Sequence, residues 1–269
     1  MSAAADSHEE ARAHAGAIER WRKARVERLT APTSWLSLVD RIPIDEGDNV
    51  LPIGTATLKG GVVRFHAAAG VDVRLEGQPV TERVLRSDED GAAKPDQLIV
   101  DGRLHELVRR GDAFALRVKD PSSPARLGFR GLSYYPIDLA WRIEARFERF
   151  DPPRARKHAL DSGLGAAQVV PGLAHFTVDG QSVTLEPTIE DSGKRLYLIF
   201  ADATNHGETY PGGRFLYADL PAGDVVVLDF NQAFNPPCVF TAFSICPAVP
   251  VQNRLPFAVT AGERLYVAG

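Results

Sequence analysis

Between Trp35 and Val118, apolar residues recur at every second position in short segments, and turn-forming pairs close those segments. The segments are 35–39, 50–53, 56–58, 62–66, 71–75, 97–100, 104–109 and 113–118. Among the breaks are Gly60-Gly61, Glu76-Gly77, Asp101-Gly102 and Arg110-Gly111-Asp112. Successive side chains of a strand point to opposite faces, so this period predicts strands with one buried face. Their close spacing predicts an antiparallel sandwich or barrel. Leu98 to Val108 reads as a hairpin on Asp101-Gly102, a dipeptide that accepts the positive φ angles of a tight turn. The pattern returns over 139–148, where Trp141, Ile143, Ala145 and Phe147 share one face. Arg142, Glu144, Arg146 and Glu148 share the other, and Asp151-Pro-Pro is expected to end the strand. Further strands are expected at 174–178, 182–187, 195–200, 214–218, 224–228 and 258–259.

The N-terminal segment has a different character. Residues 7–29 predict a helix, with Ser7 as its cap and Glu9 and Glu10 in the first turn, where the helix dipole favours negative charge. Arg22, Lys23, Arg25 and Arg28 crowd the far end. Ile18, Trp21 and Leu29 make a narrow apolar stripe, which predicts a helix laid across a sheet edge. The helix is also a candidate dimerisation arm. Asp120-Pro-Ser-Ser-Pro is a break in the strand pattern. The expected organisation is a helix over 1–31, a small β-sandwich-like domain over 32–120 and a β-rich domain over 121–269. The fold class is all-β, mainly an antiparallel sandwich or barrel, with one N-terminal α-helix.

Composition narrows the function classes. At 269 residues, 44% hydrophobic and 25% charged, the chain can bury a sizeable core. A formal net charge of −4 argues against general nucleic-acid binding, which draws on a basic surface, while leaving room for local basic patches. No apolar run is long enough to cross a membrane, and the N-terminus lacks the basic start and apolar core of a signal peptide. The expected location is cytoplasmic, where Cys238 and Cys246 are expected as thiols. No metal site is assigned, because two cysteines alone are poor zinc ligands. No phosphate-cradling glycine loop, dinucleotide fingerprint or hydrolase elbow is present, and the cofactor is left undetermined.

Three polar clusters follow strand ends in the second half: 200–214, 229–238 and 246–263. The middle one, Asp229-Phe-Asn-Gln-Ala-Phe-Asn-Pro-Pro-Cys238, sets a carboxylate, two carboxamides and a thiol after the apolar run Val225 to Leu228. Its Pro-Pro pair stiffens the loop. Polar residues in such numbers are costly to bury unless they satisfy one another or a guest.

Several of these segments together resemble the bacterial domain-of-unknown-function family 1684. They are Tyr135-Pro-Ile-Asp, Leu198-Ile-Phe-Ala-Asp-Ala-Thr, Glu208-Thr-Tyr-Pro-Gly-Gly-Arg-Phe-Leu, the Asp229–Cys238 stretch, Cys246-Pro and Asn253-Arg-Leu-Pro with Ala261-Gly-Glu. The resemblance runs from about Trp35 to Tyr266 and implies that these loops belong together, but it brings no activity. One expected departure from that resemblance is the secretory or lipoprotein leader of some members, which is not expected here.

The residues themselves suggest a polar pocket for an anionic small molecule. Arg214 is the candidate clamp for a carboxylate or phosphate, Asn231, Asn235 and Asn253 the readers of amides or hydroxyls, and Tyr210 a wall. If the site is hydrolytic, Cys238 is one candidate nucleophile, activated by His206 or Arg214. Asp229 or Glu263 is the alternative, as general base on water, with Asp202 and Asp229 as candidate metal holders. The competing expectation is a protein-interaction module whose polar cluster is a structural lock. A pocket requires these side chains to converge on open space; a lock requires them to bond one another.

Overall fold

The computed structural model describes residues 2–89, 94–157, 167–190 and 193–267. The protein is mainly antiparallel β-structure with one long N-terminal helix. The strands between residues 38 and 119 are β1 (Leu38–Ile44), β2 (Gly47–Leu51), β3 (Gly54–Lys59), β4 (Val62–Ala67), β5 (Arg74–Leu75), β6 (Gln78–Pro79), β7 (Glu82–Leu85), β8 (Gln97–Val100), β9 (Arg103–Arg110) and β10 (Ala113–Lys119). They form a six-stranded sheet, β1-β10-β9-β8-β5-β6, and a four-stranded sheet, β2-β3-β4-β7. Both enclose one core, in which Phe65, Leu98, Leu107 and Leu116 are buried. The period-two reading holds here: β4 and β8 alternate exposed and buried residues. The β8–β9 hairpin turns on Asp101 and Gly102, at φ 48° and 75°.

The second half holds β11 (Arg142–Lys157), β12 (Ala167–Val178), β13 (Gln181–Leu185), β14 (Thr188–Glu190), β15 (Arg195–Phe200), β16 (Arg214–Asp219) and β17 (Val225–Asp229). These make a four-stranded sheet, β13-β12-β11-β17, and a three-stranded sheet, β14-β15-β16. Phe147, Leu198, Leu216 and Phe230 pack between them. The strand β15 is apolar on both faces, since Leu196, Leu198 and Phe200 enter that core. Tyr197 and Ile199 point the other way, joining Phe215 and Phe234.

Several boundaries move. Trp35–Ser37 is a 3-10 turn rather than strand, and Leu139–Trp141 is another. Asp151-Pro-Pro does not end β11; the register with β12 shifts between Arg149 and Arg154, and pairing resumes to Lys157. A local irregularity absorbs prolines that cannot donate to the ladder. Residues 258–259 are not a strand.

The helix α1 spans Ser2–Thr30, so Ser7 lies inside it and not at its cap. Ile18 and Leu29 are buried as the stripe required, each contributing about 2 kcal/mol. Polar anchors supply much of the remaining attachment, and they reach the connectors of the second half. Arg22 donates to the Tyr135 carbonyl at 2.8 Å, and Arg25 and His14 reach Glu263 and Asp229. Among the described residues no helix is long and apolar enough to cross a membrane.

Candidate functional site

The predicted polar residues are brought together in part, and they bond chiefly to one another. Arg214, on β16, is fully buried. Its guanidinium donates to Asp202 at 2.8 Å, to the Val259 carbonyl at 2.8 Å and to the carbonyls of Ala261 and Glu263. Glu263 accepts from Arg25 Nε and from the Asn235 backbone N–H, both at 2.8 Å. Gly262 makes that approach possible: its φ is +78°, and a Cβ there would lie 2.5 Å from the Ala233 carbonyl oxygen.

Asp229 caps the 3-10 turn Phe230–Gln232, accepting from the Asn231 backbone at 3.2 Å and from its side chain at 2.9 Å. Its other oxygen accepts from His14 Nε2 at 2.8 Å. Asn231 also exchanges two bonds with the Asp138 backbone. Asn253 ties the Glu186 backbone and the Ile199 carbonyl together. Asn235 donates to the Arg264 carbonyl at 2.8 Å. Tyr210 is half-buried, and its carbonyl accepts from Asn205. His206 stands apart, exposed at the end of a 3-10 turn.

Two chemical schemes change in consequence. Cys238 is bonded to Cys246, with Cα atoms 6.2 Å apart, so the expected free thiols are a disulfide and Cys238 has no thiolate for attack. Asp202 serves Arg214, Thr204 and the Val259 backbone, whereas Asp229 serves His14 and Asn231. Among the described residues no group of three or more His, Cys, Asp or Glu is placed to hold a metal ion.

The open space lies beside this network. A cleft of about 1260 Å³ runs between the six-stranded sheet, the three-stranded sheet and α1. None of the nine predicted site residues lines it. The Asp229–Cys238 loop does contribute, through the neighbours Gln232, Phe234 and Pro237. Over 231–235 the buried residues are Asn231, Ala233 and Asn235, while Gln232 and Phe234 are half-buried. The amides lock the loop from within, and the alternate residues are left for the cleft wall.

The cleft is basic. The six-stranded sheet supplies Arg41, Arg110, Arg117 and Lys119, α1 supplies Arg25 and Arg28, and β15 supplies Arg195. These seven cations meet three lining carboxylates, Asp88, Glu89 and Glu190. Arg110 pairs with Asp88 at 2.8 Å and Lys119 with Glu106 at 2.8 Å. Among the described residues Arg28, Arg41 and Arg117 form no ion pair. Arg117 stacks over Trp35 at 5.0 Å, and its Nε is buried without a hydrogen-bond partner. Burial, then the neighbouring Arg110, hold its pKa below the usual arginine value. Arg41 is shifted the same way for the same reasons.

The other wall is aromatic. Tyr217 and Phe234 stack at 5.7 Å, Arg195 lies over Tyr217 at 4.4 Å, and Arg25 lies over Phe234 at 4.8 Å. Sequence reading passed over the basic wall because its residues look like ordinary wet-face charges. One signal was present: Arg117 sits in β10 among buried Phe114, Ala115, Leu116 and Val118, where a solvated charge has little room.

These features define an antiparallel β-protein whose N-terminal helix borders a basic, aromatic-walled cleft. The chain belongs to the family described as Protein of unknown function (DUF1684), whose pattern matches residues 127–264. That segment includes Arg195, Tyr217 and Phe234 but not Arg28, Arg41 or Arg117, and it begins later than the resemblance over 35–266 implied. An uncharacterized protein of Haloarcula marismortui, solved by NMR in solution, is 33% identical; the match covers 52% of this chain and 78% of that one, with a TM-score of 0.43. No curated protein matches.

Proposed function

We propose that this protein binds an anionic small molecule in the cleft between its two halves. The observation that carries the reading is Arg117: a half-buried guanidinium, directly across the β1–β10 ladder from Arg41, with a buried and unpartnered Nε. Like charges opposite each other on a sheet are destabilising unless a counter-charge joins them. A carboxylate or phosphate meets that need with the bidentate geometry that guanidinium groups favour. The volume of about 1260 Å³ exceeds that of many small-molecule sites, which leaves room for a metabolite with ordered water.

Binding fits better than hydrolysis. Asp229 and Glu263 are held by His14 and Arg25 and do not line the cleft, and Cys238 is oxidised. The test is thermal unfolding with inorganic phosphate, pyrophosphate or citrate at constant ionic strength. A ligand that prefers the native state at about 100 times its Kd adds about 2.7 kcal/mol. At least one of these anions is expected to raise Tm in the wild type and not in Arg117→Met. Equal Tm in all of them and in chloride sinks the proposal.

A further inference from the structure

Resting on that reading and sharpening it, we infer that the ligand is an amphiphile with a single anionic head. The head would sit at Arg41 and Arg117, and an apolar body would lie along Trp35, Phe234 and Ile245.

The open positive charge of the cleft and its apolar surface are separate but adjacent. On the six-stranded sheet, Arg110 is paired with Asp88 and Lys119 with Glu106. Arg41 and Arg117 are register partners on that sheet and, among the described residues, form no ion pair. Arg28 also lines the cleft, but it is exposed, and water serves an exposed guanidinium.

A continuous run of apolar side chains leads away from Arg117. Its guanidinium lies 5.0 Å over the Trp35 ring. Trp35 packs on Leu29, Leu36 and Phe240. The Arg25 guanidinium then bridges two rings, at 5.6 Å from Phe240 and 4.8 Å from Phe234. Arg25 adds no open charge to this stretch, because Glu263 holds it at 2.8 Å. Trp35, Phe234 and Ile245 line the cleft and are half-buried, so each keeps part of its apolar surface on the open space. Trp21, on α1, does the same.

A small hydrated anion such as phosphate satisfies Arg117 and leaves these side chains wet. An anion with an apolar body meets both needs, since removing apolar surface from water is favourable in proportion to its area. Pockets for organic ligands combine the same two features, an apolar lining and a few placed polar groups. An aromatic acid and a fatty-chain acid share this chemistry.

The experiment is calorimetric titration of alkylphosphonates from methyl to octyl, with phenylphosphonate and hexylamine, at constant ionic strength. Affinity is expected to rise about three-fold per methylene until the wall is covered, and then to level off. Phe234→Ala and Ile245→Ser should each flatten that rise, and Arg117→Met should weaken every phosphonate. Ile245→Ser serves where Phe234→Ala unfolds, since Phe234 also stacks on Arg25. Hexylamine should not bind. Phenylphosphonate against hexylphosphonate, equal in carbon number, separates an aromatic body from an aliphatic one. If affinity ignores chain length, or its rise survives the wall substitutions, while Arg117→Met still weakens binding, the amphiphile inference fails and the anion cleft stands. If no phosphonate binds, if Arg117→Met changes nothing, or if hexylamine binds as tightly, the inference and the cleft reading fail together.

Discussion

Arg25 and Glu263 are 238 positions apart in the chain, yet Arg25 Nε donates to the Glu263 carboxylate at 2.8 Å. Glu263 is completely buried and Arg25 nearly so. The pair fastens the N-terminal helix to the C-terminal connector, and the same guanidinium stacks on Phe234 in the cleft wall. One contact therefore joins the stability of the fold to the shape of the candidate site.

Removing one member of a buried pair leaves the other uncompensated. Arg25→Met is expected to cost about 3–5 kcal/mol in urea unfolding. The double variant Arg25→Met with Glu263→Met should regain part of that loss, because no lone charge is then buried. A single-variant cost below about 1 kcal/mol would mean that water reaches the carboxylate easily.

The disulfide makes a separate prediction. Cys238 and Cys246 close a short loop; Ile245 within it and the flanking Pro237 and Pro247 line the cleft. Alkylation of the denatured, unreduced protein should modify neither cysteine, as read by mass spectrometry. Cys238→Ser should lower stability by about 2–3 kcal/mol, from the loop entropy restored to the unfolded chain. Full alkylation of both residues without reductant would contradict the bond.

His105 governs a pH effect. It lies buried on β9, and burial lowers its pKa below the ordinary histidine value, against the upward pull of backbone groups at Leu98 and Arg103. The folded state therefore refuses a proton that the unfolded chain accepts. Stability should fall as pH drops below about 6.5, and this contribution levels off below the folded-state pKa. Urea midpoints on either side of that value should differ in the wild type by more than in His105→Leu. Equal differences would show that His105 titrates normally in the fold.

Much of the β-architecture was legible because its causes are local. The alternation on β4, β8 and β11 follows from the pleat, and the hairpin at Asp101-Gly102 follows from the φ angles those residues tolerate. The loop 229–238 also stood out in the sequence, for its amides and its Pro-Pro pair. Its roles were inverted, since Asn231 and Asn235 turn inward to hold the backbone while Phe234 meets the cleft. His14 gave no sign of its bond to Asp229, because nothing near it in the chain marks a partner 215 positions away.

The sequence alone determined which residues could lie on a buried face and where the chain could turn, for those preferences reside in neighbouring dihedral angles and side-chain spacing. Only tertiary structure decided which polar groups would satisfy each other and which would be left facing space. Arg214 was the expected clamp and became a brace, while Arg41 and Arg117, which had no expected role, face each other across one ladder and line the basic wall. The physical reason is that a polar group's role depends on whether burial supplies it with a partner, and those partners come from strands and a helix distant in the chain.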